Sequence, residues 1–193
     1  KNKKIPDIVI LYWRSKAKPE PVFLIELKET IGPLSDKSMC GYKRDIKKLN
    51  SLGVDFEIFV YRDCTCPFID GRDMNGGIEL LKKSDCYSIC GSVKAHPSPY
   101  FAMWEPNKDG FLEISKTTNK IINRRQDAPT VYITDGMFVF WTKKFLKTRK
   151  FQSGKMLPYE ISKEHGHMID FEFDFKVAKL LFESKRNTNN TQI

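Results

Sequence analysis

Short apolar runs alternate along the chain with polar stretches rich in lysine. Ile5 to Trp13 (IPDIVILYW) is a nearly continuous apolar run of strand length, made largely of β-branched and aromatic residues. Strands buried on both faces, as in parallel sheets, read this way. Val22 to Leu27 is a second short run whose type the pattern leaves open. Tyr42, Ile46 and Leu49 recur at helical spacing among lysines, which predicts an amphipathic helix over 38–52 that Gly53 stops. Phe56 to Tyr61 (FEIFVY) predicts the next strand, and it ends in the polar turn Asp63-Cys64-Thr65-Cys66-Pro67. Residues 72–83 predict a short helix in spite of Gly76-Gly77, and Cys86 to Val93 a further strand. This alternation predicts an α/β fold with a mostly parallel sheet. Ligands on such sheets bind beyond the C-terminal ends of the strands, where the 63–67 turn lies.

The second half is patterned differently. Pro97, Pro99, Pro106 and the turn Asn107-Lys108-Asp109-Gly110 break up aromatic segments and predict a hairpin inserted at about 95–130. Val131–Ile133, Met137–Trp141, Tyr159–Ile161 and Met168–Phe173 predict strands. Phe175–Phe182 predicts a final helix with Phe175, Ala178, Leu181 and Phe182 on one face. Residues 1–183 form one domain on this pattern, and Ser184 to Ile193 a polar, disordered tail.

With 33 basic and 24 acidic side chains in 193 residues, the net charge is +9. The basic residues are spread along the chain in pairs, without a block of five or six, so nucleic acid is not the expected partner. No stretch of about 18 apolar residues occurs and no secretory leader is evident, which points to a cytoplasmic protein away from membranes. The five cysteines are then reduced thiols. Their spacing does not suit paired zinc knuckles, and Cys86 and Cys90 sit in an apolar run as small hydrophobes.

Strict alternation in Ile169-Asp170-Phe171-Glu172-Phe173 places Asp170 and Glu172 on one face of a strand. Adjacent carboxylates suit either a solvated edge or a hard divalent cation such as Mg²⁺. Arg124-Arg125-Gln126-Asp127 offers guanidiniums to a carboxylate or phosphate, or is an exposed turn. His165-Gly166-His167 lacks further metal ligands nearby, and His96 reads as a loop residue. No common nucleotide-binding glycine loop and no nucleophile elbow occurs.

Four segments stand in an order that resembles the acylneuraminate cytidylyltransferases, the CMP-sialic acid synthetase family that includes the legionaminic and pseudaminic acid enzymes. They are the 63–67 turn, HPSPYFAMWEPNKDGFLE, RRQDAPTVYITDGMFVF and MIDFEFDFKVAKLL. The resemblance covers roughly residues 20–183. It implies a Rossmann-like nucleotidyltransferase sheet with an inserted dimerisation hairpin. It also implies transfer of CMP from CTP to a nonulosonic (sialic-like) acid, with Mg²⁺ as cofactor and a homodimer as the assembly. Matched by position, Asp170 is the metal-binding aspartate, with Glu172 or Asp174 as the second ligand in place of the missing first aspartate, and Asp170 and Arg125 are the catalytic positions. Asp63, Thr65, Arg125, Gln126 and Tyr132 fall at the sugar, and Asp36 and Ser38 at the nucleotide.

The chain departs from the family pattern at several places. Met168 replaces the first metal aspartate, Asp63 a glutamine and Asp135 an asparagine. The Gly- and Arg-rich loop that cradles the CTP phosphates in the family has no counterpart in the chain, since Lys1-Asn2-Lys3-Lys4 has neither residue. The resemblance therefore implies an N-terminally incomplete or divergent copy, with little turnover by residues 1–193. The alternative is a catalytically inactive interaction protein derived from that fold.

Overall fold

The computed structural model describes residues 57–148, 150 and 152–190, together with the backbone of two strands at 6–14 and 21–29. The expected helix over 38–52, with Asp36, Ser38 and Cys40, lies outside the described residues. The strands are β1 (Pro6–Arg14), β2 (Pro21–Glu29), β3 (Ile58–Arg62), β4 (Ser88–Lys94), β5 (Trp104–Pro106), β6 (Leu112–Ile114), β7 (Tyr132–Trp141) and β8 (Met156–Glu160). The helices are α1 (Gly71–Lys83), α2 (Thr142–Thr148) and α3 (Glu172–Asn190).

The fold is α/β, but the sheet is not mostly parallel. Its order is β2-β1-β3-β7-β4-β8, and β4–β8 is the one parallel pairing among the described strands. The reason lies in the 95–131 excursion. β4 ends at Lys94, the insertion folds back on itself, and Ala95 N donates to Val131 O at 2.8 Å. The chain thus re-enters the sheet at the end it left, and β7 has to run antiparallel. β3, β4 and β8 still share one direction, with β7 wedged between β3 and β4. An apolar run cannot encode strand direction, because central strands of either sense are buried on both faces.

Alternation along the strands separates two layers. Ile58, Val60, Ile89, Met137 and Val139 face α1, where Ile78 and Leu81 complete an aliphatic core. Phe59, Phe138 and Phe140 face the other way, and α2 covers them. Phe145 of α2 lies 5.2 Å from the ring of Phe59 and 5.0 Å from that of Phe140. Cys66, Cys86 and Cys90 are buried as small hydrophobes. Gly76-Gly77, costly in a helix on propensity, is explained by close approach. A Cβ on Gly76 would lie 1.9 Å from the Tyr159 hydroxyl, and one on Gly77 would lie 3.0 Å from Val139 Cγ2.

The β5–β6 hairpin forms where expected, with Asn107 Oδ1 accepting from Asp109 N and Phe111 N. The C-terminal segment differs from expectation. Residues 168–171 are not a strand, and α3 starts at Glu172. Asp174 reaches back from the first turn to accept from Asp170 N at 3.1 Å and Phe171 N at 2.9 Å. Those bonds satisfy amides that a helix start leaves without partners, and they override the period-two pattern. α3 buries Ala178 and half-buries Val177 and Leu181, whereas Phe175 and Phe182 are exposed. The helix also continues to Asn190, where a disordered tail was expected from Ser184. Neither Gly nor Pro interrupts 172–190, and adding a turn to a formed helix costs little. Lys185 anchors the extension through Glu164, at 3.2 Å, and the Phe68 ring.

Candidate functional site

The C-terminal ends of β3, β4 and β8 and the start of β7 lie at one end of the sheet. The 63–67 turn, the 95–131 insertion and the 161–171 loop all emerge there. In the turn, Asp63 Oδ1 accepts from Thr65 N at 3.0 Å and from Thr65 Oγ1 at 2.9 Å. This is an Asx turn closed by the residue's own carboxylate. Arg62 Nη2 braces it by donating to Cys66 O at 3.1 Å and Pro67 O at 2.9 Å. Burial lowers the Arg62 pKa, and the cysteines and Asp63 beside it work in the opposite direction. Asp63 N donates to Gly136 O at 2.8 Å, and Ile169 N to Thr65 O at 2.9 Å. Asp63 thus builds the turn, and the turn is bonded to the segment that carries Asp170.

The insertion supplies a second cluster. Ser98 O accepts from the amides of Phe101, Ala102 and Met103, which folds the chain tightly after His96. A 3-10 turn at Arg125–Asp127 then brings Arg125 Nη1 into hydrogen bond with His96 Nε2. A guanidinium only donates, so His96 Nε2 is the acceptor in that contact. Arg124 is bound by Asp127 at 2.9 Å and Lys94 by Glu160 at 3.0 Å, the latter bond raising the Lys94 pKa. Arg125 has no carboxylate partner among the described residues. It lines an open cleft of about 220 Å³ with Lys94, His96, Ser98, Gln126 and Thr130. Tyr132 pairs with Lys94 in the β4–β7 ladder above this cleft. The chemistry offered is one uncompensated guanidinium beside amide and hydroxyl groups, suited to an oxygen-rich anion.

Asp170 and Glu172 do not share a strand face. Asp170 lies in the loop before α3, its carboxylate exposed and engaged by no protein group among the described residues. Glu172 opens the helix and pairs with Lys176 at 3.0 Å. One carboxylate suits Mg²⁺, which commonly takes one or two together with phosphate oxygens. The two histidines diverge: His167 Nε2 bonds to Asp174 O at 2.8 Å, and His165 Nδ1 to Asp73 Oδ2 at 2.6 Å.

Asp70, Asp73 and His165 place ligand atoms within 4.8 Å of one another, the one such group of three among the described residues. Its atoms are already paired. Asp70 caps α1 in a capping box with Asp73, and its Oδ2 binds Arg72 at 2.8 Å. The Asp70-x-x-Asp73 spacing before an apolar stretch signals that box in the sequence. The Arg72 hydrogen bond holds the Asp70 pKa down to about 2, from 3.8. A depressed carboxyl stabilises the fold above its unfolded pKa and loses that contribution as pH falls through the folded value. Part of the stability is therefore expected to disappear between pH 3.8 and about 2, and Asp70→Asn should abolish that part of the acid limb. Asp70→Ala should cost about 1 kcal/mol in urea melts at pH 7, because no side-chain acceptor remains for the first-turn amides.

No known protein-family model matches the chain. Asp63, Thr65, Arg125, Gln126, Tyr132 and Asp170 all lie at the same sheet end, although Arg125 and Asp170 are not in contact. His96 and Lys94 belong to the same cluster and were not singled out as functional. For His96 the only available signal was its place at the head of the HPSPY segment. No helix among the described residues is long and apolar enough to cross a membrane.

Proposed function

We propose that the protein is a nucleotidyltransferase of the CMP-sugar type, built on a Rossmann-like sheet, that joins CMP from CTP to a nonulosonic acid. One observation carries the reading: segments far apart in sequence are bonded in pairs at one sheet end. Thr65 O binds Ile169 N, and Arg125 binds His96. These bonds join the first of the four motif segments to the fourth and the second to the third.

In the reaction the anomeric hydroxyl attacks the α-phosphorus. An O–P bond forms, the bond to the β-phosphate oxygen breaks, and pyrophosphate leaves as the hydroxyl proton is lost. Arg125 and Gln126 are assigned to the sugar carboxylate, with Tyr132 and Thr65 beside it. Asp63 supports Thr65. Asp170 is the carboxylate assigned to Mg²⁺, which when bound would offset phosphate charge. The chain's own work is then positioning and electrostatics.

The test is pyrophosphate release from CTP, Mg²⁺ and a panel of nonulosonic acids, run on this chain and on the full product of its reading frame. Turnover with at least one acid is the expected result. Its absence in both overturns the enzyme reading. A second reading, a non-catalytic binding protein of the same fold, draws support from Glu172 being tied to Lys176 and from Met168 at a ligand position. It predicts sugar-acid binding without turnover.

A homodimer built on the hairpin belongs to the same proposal. Trp104, Phe111 and Leu112, on or beside the two hairpin strands, are 54%, 71% and 65% exposed and offer apolar surface to a second copy. Phe111→Ser with Leu112→Ser is expected to turn a dimer into a monomer in light scattering while leaving the fold intact. A wild type that is monomeric at high concentration would remove this assembly.

A further inference from the structure

Folding collects lysines that the sequence scatters. At the end of the sheet opposite the candidate site, β4 and β8 begin and β7 ends, and α1 finishes there with Lys82 and Lys83. α2 begins there and presents Lys143, Lys144 and Lys147. Three bonds hold these pieces together. Lys144 Nζ donates to Cys86 O at 3.1 Å, the Tyr87 hydroxyl to Lys150 O at 2.7 Å, and Tyr87 N to Lys155 O at 2.7 Å. Lys150 and Lys155 are thereby fixed beside the start of β4. All seven lysines are exposed.

The opposing charge is sparse. Glu79 takes Lys82 at 3.3 Å, Asp85 lies 3.8 Å from Lys155 while itself 97% exposed, and Glu57 stands at the start of β3. Seven cations against three acids among the described residues leave a surplus of four at this end of the sheet. Among the described residues of 82–87 and 142–155, none carries a large exposed apolar side chain. A face that docks on a membrane combines basic residues with apolar groups that enter the acyl boundary. Contact with a phosphate backbone needs cations alone.

We infer that this end of the sheet, the α1 C-terminus with α2, Lys150 and Lys155, is a docking face for the phosphate backbone of nucleic acid, read without regard to sequence. The lysines neutralise phosphates and release condensed counterions, so affinity falls steeply with salt. The face is separate from the candidate site, and its failure would leave the nucleotidyltransferase reading untouched.

The test is fluorescence anisotropy of the whole chain with a labelled mixed-sequence RNA of about 20 nucleotides, in salt from about 50 to 200 mM. About four engaged phosphates at about −0.7 each give an expected slope of log K against log salt near −3. The triple variant Lys143→Glu, Lys147→Glu, Lys150→Glu should weaken binding at least about tenfold and flatten the slope by about 2, three contacts being lost. A second triple, Lys108→Glu, Lys163→Glu, Lys179→Glu, changes net charge equally elsewhere and should leave binding within about threefold of wild type, the effect being screened beyond a Debye length. Circular dichroism of both triples confirms the fold. No RNA binding at the lowest salt, or equal losses in the two triples, would overturn the assignment. So would binding to phosphatidylserine vesicles in the absence of RNA binding.

Discussion

Arg125→Ala is expected to weaken binding of a nonulosonic acid by between about tenfold and a hundredfold. The basis is the charge ledger of the cleft. Asp127 neutralises Arg124 and Glu160 neutralises Lys94, whereas Arg125 rests on the His96 imidazole and has no carboxylate partner among the described residues. A charge-assisted hydrogen bond contributes about 1.5–3 kcal/mol, which converts to that range of affinity at about 1.4 kcal/mol per tenfold. Arg125→Lys keeps the charge but loses the planar fork, so an intermediate loss is expected. Arg124→Ala serves as the control. Its exposed ion pair is worth about 0–1 kcal/mol, and binding should change less than about fivefold. His96→Ala removes the acceptor that aims Arg125 and should cost severalfold in affinity, with part of it regained in His96→Gln. Isothermal titration of the wild type and these variants decides the matter. Equal affinities for wild type and Arg125→Ala would remove Arg125 from the site.

Gly136→Ala is expected to lower stability by about 2–4 kcal/mol. Two independent constraints act on this residue. Its φ is +78°, a backbone region that costs an L-residue with a Cβ about 1–2 kcal/mol. The position is also full: an added Cβ would lie 2.6 Å from Cys66 Sγ, 2.8 Å from Ile69 Cδ1 and 2.9 Å from Cys66 Cβ. Both constraints follow from the register shift in the β4–β7 ladder. Cys90 pairs with Phe138 but Ser92 with Thr134, so β7 carries two extra residues at this point and bulges toward the 63–69 turn. For a chain of this size each kcal/mol corresponds to about 2–4 °C, and the expected fall in Tm is about 4–16 °C. Combining Gly136→Ala with Cys66→Ala separates the two causes. The double variant should be more stable than the sum of the single losses, because the Sγ clash is relieved while the strain at φ remains. A Tm within a degree of wild type for Gly136→Ala would refute this account. Since Asp63 N donates to Gly136 O, the variant should also loosen the Asx turn and raise the KM for the sugar acid more than the KM for CTP.

Several elements were legible in the sequence because their causes are local. The Ile58–Arg62 and Ser88–Lys94 strands, the Gly71–Lys83 helix and the Asn107–Gly110 turn follow from periodicity, capping and turn chemistry within a few residues of each element. The candidate site was legible only in part. Thr65, Arg125, Gln126 and Tyr132 stand in recognisable segments, but their order along the chain does not say that Arg125 rests on His96 or that Asp63 is used up in closing its own turn. The alternation in IDFEFDF indicates a strand, and a single carboxylate, Asp174 folding back on two amides, turns it into a helix start. α2 was not anticipated. It is seven residues long and Phe145 is its one fully buried apolar side chain, so its helical form depends on the aromatic face of the sheet that receives that ring.

By itself the sequence determined the class of fold, most of the elements, the inserted hairpin and a net charge of +9. The tertiary structure decided the direction of β7, because the two ends of the insertion meet and return the chain to the sheet at the end it left. It also decided which charges are neighbours. Lys82 stands far from Lys144 and Lys155 in the sequence and meets them at one end of the sheet, while Arg125 at the other end has no carboxylate partner among the described residues. Composition fixes how many charges a chain carries. Where their fields add or cancel depends on distance in space, and that is set by which strands pair and in which sense.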